Sequence, residues 1–208
     1  MSWFRRNRWG LLLLLPALAL ALLGNSSRLQ LFWWDYKPHE PTRTTIGAPV
    51  AFAEEFDDFD GRWRRSLEVS VVSVLTGTVA LDEEGVRIED PTPPGAQWVA
   101  VRLHVETDPG TVLFACRLSI LDDRGREATY GATSVGRYDL PTSPCTPADR
   151  PGPQSGGQEA QQAAAQNPRP ASYDVTAYVL TAEDFTPAEV RLWWQPPRYV
   201  AVDVRSEG

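Results

Sequence analysis

Scarcity is the first property of this sequence: one lysine, Lys37, and only two histidines and two cysteines in 208 residues. Each shortage removes a class of chemistry. His39 lies in a proline-rich stretch, and His104 is the one histidine in the part expected to fold. A zinc site built from His104, Cys116 and Cys145 would lack a fourth ligand and compete with a disulfide. Ala132-Thr133-Ser134-Val135-Gly136 comes close to the nucleophile elbow of α/β-hydrolases, but that elbow needs a later histidine and none follows His104. It reads as a small-residue turn between strands. There is no phosphate-binding glycine loop and no cofactor fingerprint, so no cofactor is expected.

Acidic residues are plentiful without forming a clear site. In EEFDDFDG at 54–61, a calcium loop would need aspartate at Phe56 and a bidentate glutamate at Leu67. The stretch fails at both ends and reads as a solvated linker or a first edge strand. Glu83-Glu84 and Asp122-Asp123 sit on turns, where carboxylates are normally solvated. A glycosidase pair would depend on a spatial separation the sequence does not reveal, which makes an envelope hydrolase the third-ranked reading.

Long apolar runs are absent except for one. Residues 9–24, WGLLLLLPALALALLG, follow Arg5, Arg6 and Arg8, and no acidic residue precedes Asp35. The run is about 24 Å of helix against roughly 30 Å of hydrocarbon. Asn25, Ser26 and Ser27 extend the helix while the arginines snorkel to their own interface. Residues 9–27 are therefore expected to form a transmembrane signal-anchor, with basic residues 1–8 in the cytoplasm and the rest exported. Arg5, Arg6, Arg8 and Trp9 mark one interface; Phe32, Trp33, Trp34 and Tyr36 resemble the aromatic belt of the other. A cleavable signal peptide is the competing reading, with Ala17-Leu18-Ala19 or Ala19-Leu20-Ala21 as its cleavage site and a secreted domain as its product.

Three of the 20 basic residues and none of the 27 acidic ones precede this run, so the remainder carries a net charge of about −10. Such a surface argues against nucleic-acid binding and against docking on anionic lipid. In an exported chain, Cys116 and Cys145 default to one disulfide, worth roughly 3 to 4 kcal/mol by chain entropy.

Beyond a stalk at 28–61, the periodicity is that of strands. Leu67, Val69 and Val71 alternate with polar residues before Val72 and Val74 swap the phase, which signals a bulge. QWVAVRLHVET at 97–107 puts Val99, Val101, Leu103 and Val105 on one face. Val112–Leu121 reads as a central strand with Phe114 and Cys116 inward, followed by a turn at Asp122-Asp123-Arg124-Gly125. Residues 141–171 are too poor in large apolar side chains for core and are expected to be a flexible excursion, with helix propensity at 159–166. Strands resume near 173–181, 190–195 and 198–204. About seven strands indicate an antiparallel immunoglobulin-like β-sandwich over residues 62–208.

By strand parity Trp98, Trp193 and Tyr199 point away from the core, which marks them as a candidate binding patch. The alternative is that they cover one another or stack on Arg102 and Arg191.

With its basic N-terminus, single apolar segment, N-S-S-R at 25–28, Trp33-Trp34, the strand from Gly95 to Val105, F-A-C-R-L at 114–118, S-P-C at 143–145 and V-R-L-W-W-x-P-P at 190–197, the chain resembles bacterial membrane-anchored envelope proteins of uncharacterised function. The resemblance implies a single-pass topology, a sandwich and a disulfide, and it implies no catalytic residue. The expectation is a non-enzymatic interaction domain that binds an envelope protein or glycan, with a ligand-sensing or carbohydrate-binding module second.

Overall fold

The described residues form nine strands, most of them built from alternating apolar and polar residues, and two segments without that alternation become helices. The computed structural model describes residues 3–29, 34, 36–77, 92–131 and 143–205, without the side chains of residues 4, 5, 26, 27 and 29. Helix α1 spans Trp3–Leu29. Strands β1 Glu40–Thr45, β2 Val50–Asp58, β3 Gly61–Gly77, β4 Ala96–Thr107, β5 Arg117–Asp122 and β6 Glu127–Thr129 follow. Helix α2, Gln158–Gln166, precedes β7 Ser172–Ala182, β8 Pro187–Trp193 and β9 Arg198–Asp203.

The strands form two sheets, ordered β1-β9-β8-β5-β6 and β2-β3-β4-β7. Packed face to face, they make a β-sandwich. Pairing is antiparallel except for β1, which lies parallel to β9. β4 beside β7 in one sheet, with β5, β8 and β9 in order in the other, matches the B–E and C–F–G neighbours of an immunoglobulin-like sandwich. β3 then takes the place of strand A and β6 that of C′, while β1 and β2 are additions at the N-terminus.

The core consists of the residues that alternation selects. Leu67, Val69 and Val71 of β3 meet Val99, Val101, Leu103 and Val105 of β4, and the facing sheet supplies Leu118, Ile120, Val190, Leu192, Val200 and Val202. Burying each such side chain contributes about 1.5 to 3 kcal/mol. The expected bulge is present: register against β4 shifts between Val71 and Ser73, which turns Val72 out to solvent. Gly125 takes φ 78° at the end of the β5–β6 turn, where a side chain would be strained. A cis bond between Pro196 and Pro197 joins β8 to β9.

Four expectations are corrected. Residues 40–58 are not stalk. They form β1 and β2, because Phe52 and Phe56 alternate with polar residues and are buried. Among the described residues, nine strands replace about seven. The strand expected at 112–121 begins only at Arg117: Ala115 adopts φ 63°, the chain turns there, and Phe114 is half exposed. The excursion is held down within its described part, 143–171. Its buried Arg169 donates to the carbonyls of Pro151, Asp108 and Thr111 at 2.9, 3.2 and 2.7 Å. A single cation here replaces the apolar contacts whose scarcity suggested looseness.

Helix α1 stands outside this core. Its segment Arg6–Asn25 is 20 residues long, apolar enough to cross a membrane, and buried nowhere in the protein. A signal sequence near an N-terminus has the same properties. Trp9, Trp34 and Tyr36 are exposed. Trp33, Phe32 and the Arg5 side chain lie outside the described residues, as do Ala132–Gly136 and Glu83-Glu84.

Candidate functional site

Parity placed Trp98, Trp193 and Tyr199 on outer faces correctly, but their exposure is not observed. Trp98 is 2% exposed, Trp193 7% and Tyr199 5%. Trp98 packs with Tyr178 on the four-stranded sheet, whereas Trp193 packs with Tyr199 and Ala201 on the other. The outer faces of two stacked sheets look in opposite directions, so the three residues cannot form one patch. The Arg191 guanidinium lies 5.3 Å from the centroid of Tyr199, which is the stacking arrangement the sequence left as the alternative.

Cys116 and Cys145 do meet. They stand at disulfide distance with Cα atoms 6.1 Å apart, and tie the start of β5 to the excursion. Tyr173 reinforces this tie, its hydroxyl donating to the Cys145 carbonyl at 2.9 Å.

A more promising region closes one end of the sandwich. Alternation along β2 and β3 turns Glu54 and Arg65 inward, where they form a buried ion pair. Arg65 Nε also donates to the Val112 carbonyl at 2.7 Å. Its guanidinium lies 4.3 Å from the Phe56 ring and 5.4 Å from the Trp194 ring. Burial pushes the Glu54 carboxyl above the usual range, against the opposing pull of Arg65.

Beside this pair opens a groove of about 560 Å³ between residues 53–55 with Arg64 and the turn at 195–198. Arg198 bridges the two sheets there, donating from Nη1 to the Ala53 carbonyl at 3.2 Å, with Glu40 3.8 Å from its Nε. Arg64 has no ion-pair or hydrogen-bond partner among the described residues. The groove therefore sets two guanidiniums, Arg64 and Arg198, among the carboxylates of Glu54 and Glu55, next to the small Ala53 and the rigid Pro196-Pro197. That combination suits an anionic or carbonyl-bearing extended ligand.

A second cluster lies on the outer face of β4 and β7, and sequence reasoning missed it. His104 Nδ1 is 2.6 Å from Asp174 Oδ1, while Nε2 is 3.3 Å from both Glu106 Oε1 and Ser172 Oγ. Asp174 also accepts from Arg102 Nη2 at 2.8 Å. The signal was a polar i, i+2 pair, Ser172 and Asp174, but only the strand register sets it against His104. Serine, histidine and aspartate in this order suggest a catalytic triad. The geometry argues otherwise: Nε2, the atom that would take the serine proton, is shared with the Glu106 carboxylate, and the hydrogen bonds the ring makes to Asp174 and Glu106 raise its pKa. The arrangement is an ion-pair cluster on an open sheet face.

The acidic turn 57–60 is engaged with protein. Asp58 accepts from Trp63 Nε1 at 2.8 Å and from the Gly156 amide at 2.9 Å, and the latter bond leads in holding its pKa down. Among the described residues, no group of three or more His, Cys, Asp or Glu could hold a metal ion.

Fold and site together define a β-sandwich with an end groove and a detached apolar helix. No sequence family matches the chain, and no curated protein matches it in sequence. Among solved structures it is similar to the crystal structure of an uncharacterised β-sandwich protein from Clostridium difficile 630, at a TM-score of 0.41 and 6% identity over 81% of this chain and 96% of that one. So distant a likeness says nothing of activity.

Proposed function

We propose that the protein is a single-pass, membrane-anchored envelope protein whose extracytoplasmic β-sandwich is a non-enzymatic interaction domain. The observation that carries this reading is helix α1: its apolar segment buries nothing against the sandwich, so a bilayer is the surface that relieves its exposure. Arg6 and Arg8 precede that surface, which favours a cytoplasmic N-terminus. The cysteine pair at disulfide distance suits an oxidising compartment.

The contact surface in this reading is the end groove, and its partner is an envelope component that presents an extended, anion-bearing segment to Arg64 and Arg198. The groove takes the place of the aromatic patch. Burial of Trp98, Trp193 and Tyr199 removes the exposed rings on which the carbohydrate reading rested.

The test is site-specific photocrosslinking in native membranes from Gln195 at the groove wall. A discrete adduct that disappears when Arg64→Glu and Arg198→Glu are combined supports the reading. An adduct pattern indifferent to those charges contradicts it.

A further inference from the structure

Among the described residues beyond α1, four aromatic side chains are exposed: Trp34, Tyr36, Phe59 and Phe114. The topology brings all of them to one end of the sandwich. The chain enters β1 there, where the His39 and Glu40 amides both donate to the Pro197 carbonyl at 2.9 Å and Glu40 pairs with Arg198. Trp34 lies just before that point, its ring 4.4 Å from the ring of His39. β8 ends here at Trp193, and β5 begins here with Arg117 paired to Trp193, which sets Phe114 just outside the sheet. In the other sheet Arg198 reaches the Ala53 carbonyl, and β2 runs on past it to the hairpin turn that carries Phe59. The Arg65 bond to the Val112 carbonyl holds this hairpin against the loop of Phe114. The exposed aliphatic side chains Ile46, Val72 and Leu75 lie toward the opposite end.

On the membrane-anchored reading, on which this inference rests, that same end is the tethered one. From Leu29, where α1 ends, to His39 is about ten residues, which reach at most about 35 Å when fully extended. A turn closed by the Lys37 amide on the Trp34 carbonyl shortens the reach. β2 itself covers about 17 Å of that distance between Ala53 and Asp58. Single exposed rings are ordinary on a protein surface, but their segregation to the tethered end is not. Aromatic side chains gather at membrane surfaces because they bury apolar area in the headgroup zone.

We propose that this end of the sandwich rests on the bilayer that anchors the chain, with Phe59 and Phe114 entering the headgroup zone beside Trp34 and Tyr36. The carboxylates around Phe59 are held by protein groups. Asp57 pairs with Arg62 at 3.1 Å, Asp58 accepts from Trp63 and the Gly156 amide, and Asp60 accepts from Ser155 at 3.5 Å. Contact made through rings needs no anionic lipid, so the net negative charge of the exported part is compatible with zwitterionic headgroups. The end groove lies at the same end, and the segment it takes is therefore presented at the membrane surface.

The test uses the full-length chain in phosphatidylcholine nanodiscs that carry two photoactivatable phosphatidylcholines, one with its diazirine at headgroup depth and one with it in the acyl chain. Adducts are mapped by mass spectrometry. The expected result is acyl-chain labelling of α1 and headgroup labelling of residues 57–61 and 112–116, with none around Leu75. Phe59→Ser combined with Phe114→Ser should remove the loop adducts and leave those in α1, while Leu75→Ser should change neither. Labelling of α1 without either loop overturns the proposal and leaves the anchor standing. So do loop adducts that persist in the double serine variant, since the rings are then not the contact. An α1 that neither probe labels overturns the anchored reading, and this inference with it.

Discussion

Glu54 and Arg65 are paired inside the sandwich, with the guanidinium between the rings of Phe56 and Trp194. Removing one member of such a pair strands the other charge in the interior, at a cost of about 3 to 5 kcal/mol, whereas replacing both with apolar residues is often neutral. Arg65→Met should therefore destabilise strongly in urea, and Glu54→Leu with Arg65→Met should recover most of the loss.

The same variant carries a pH signature. Burial already raises the folded-state pKa of Glu54, and without Arg65 only the weaker pull of Arg198 opposes it. A raised carboxyl pKa means that the folded state binds the proton more tightly than the unfolded one, so stability falls as pH rises from the unfolded to the folded value. Arg65→Met should regain stability on acidification toward the ordinary glutamate range. Urea midpoints measured across that window read the effect.

His104 gives a titration of the same sign at higher pH. Its pKa is raised, chiefly by the Asp174 hydrogen bond, so its stabilising contribution is complete below the ordinary histidine value and is lost as pH rises through the folded one. NMR titration of the ring should show a pKa above 6.5, and Asp174→Asn should bring it down. If the ring titrates identically in the variant, the ion-pair cluster is not what holds the proton.

Arg169 anchors the excursion through three backbone carbonyls. Hydrogen bonds from a charged donor are worth about 1.5 to 3 kcal/mol each, and they are not fully additive. Arg169→Ala should cost about 3 kcal/mol or more, and should open residues 146–168 to protease while the sheets persist. Gly156→Ala should loosen the same segment, because a Cβ there would overlap the Trp63 indole.

These cases show why some of the molecule was legible in the sequence and some was not. Period-two alternation revealed β3, β4, β7, β8 and β9 because their inward residues are long aliphatic runs such as Val99 to Val105. It missed β1, whose EPTRTT has no apolar face and is held by parallel pairing with β9. β2 was placed in the stalk, with an edge strand at its acidic stretch left as the alternative that the structure bears out, because its buried face interleaves Phe52 and Phe56 with Glu54, a residue that looks exposed until Arg65 is opposite. The groove was hidden for a related reason. It joins residues 53–55 to residues 195–198, and only the packing of the two sheets brings them together. Parity told which way Trp98 and Trp193 point, but nothing local told what covers them.

Membrane topology is the most direct test of the central reading, that helix α1 holds this sandwich on the exported side of a membrane. Spheroplasts of a producing cell would be treated with protease, and the membranes then washed in alkaline carbonate. The account expects the intact chain, residue 1 onward, to stay in the washed membrane, and its sandwich to be digested from outside. Release of a chain shortened at residues 17–21 into the soluble fraction, or a sandwich protected until the cells are lysed, would contradict it.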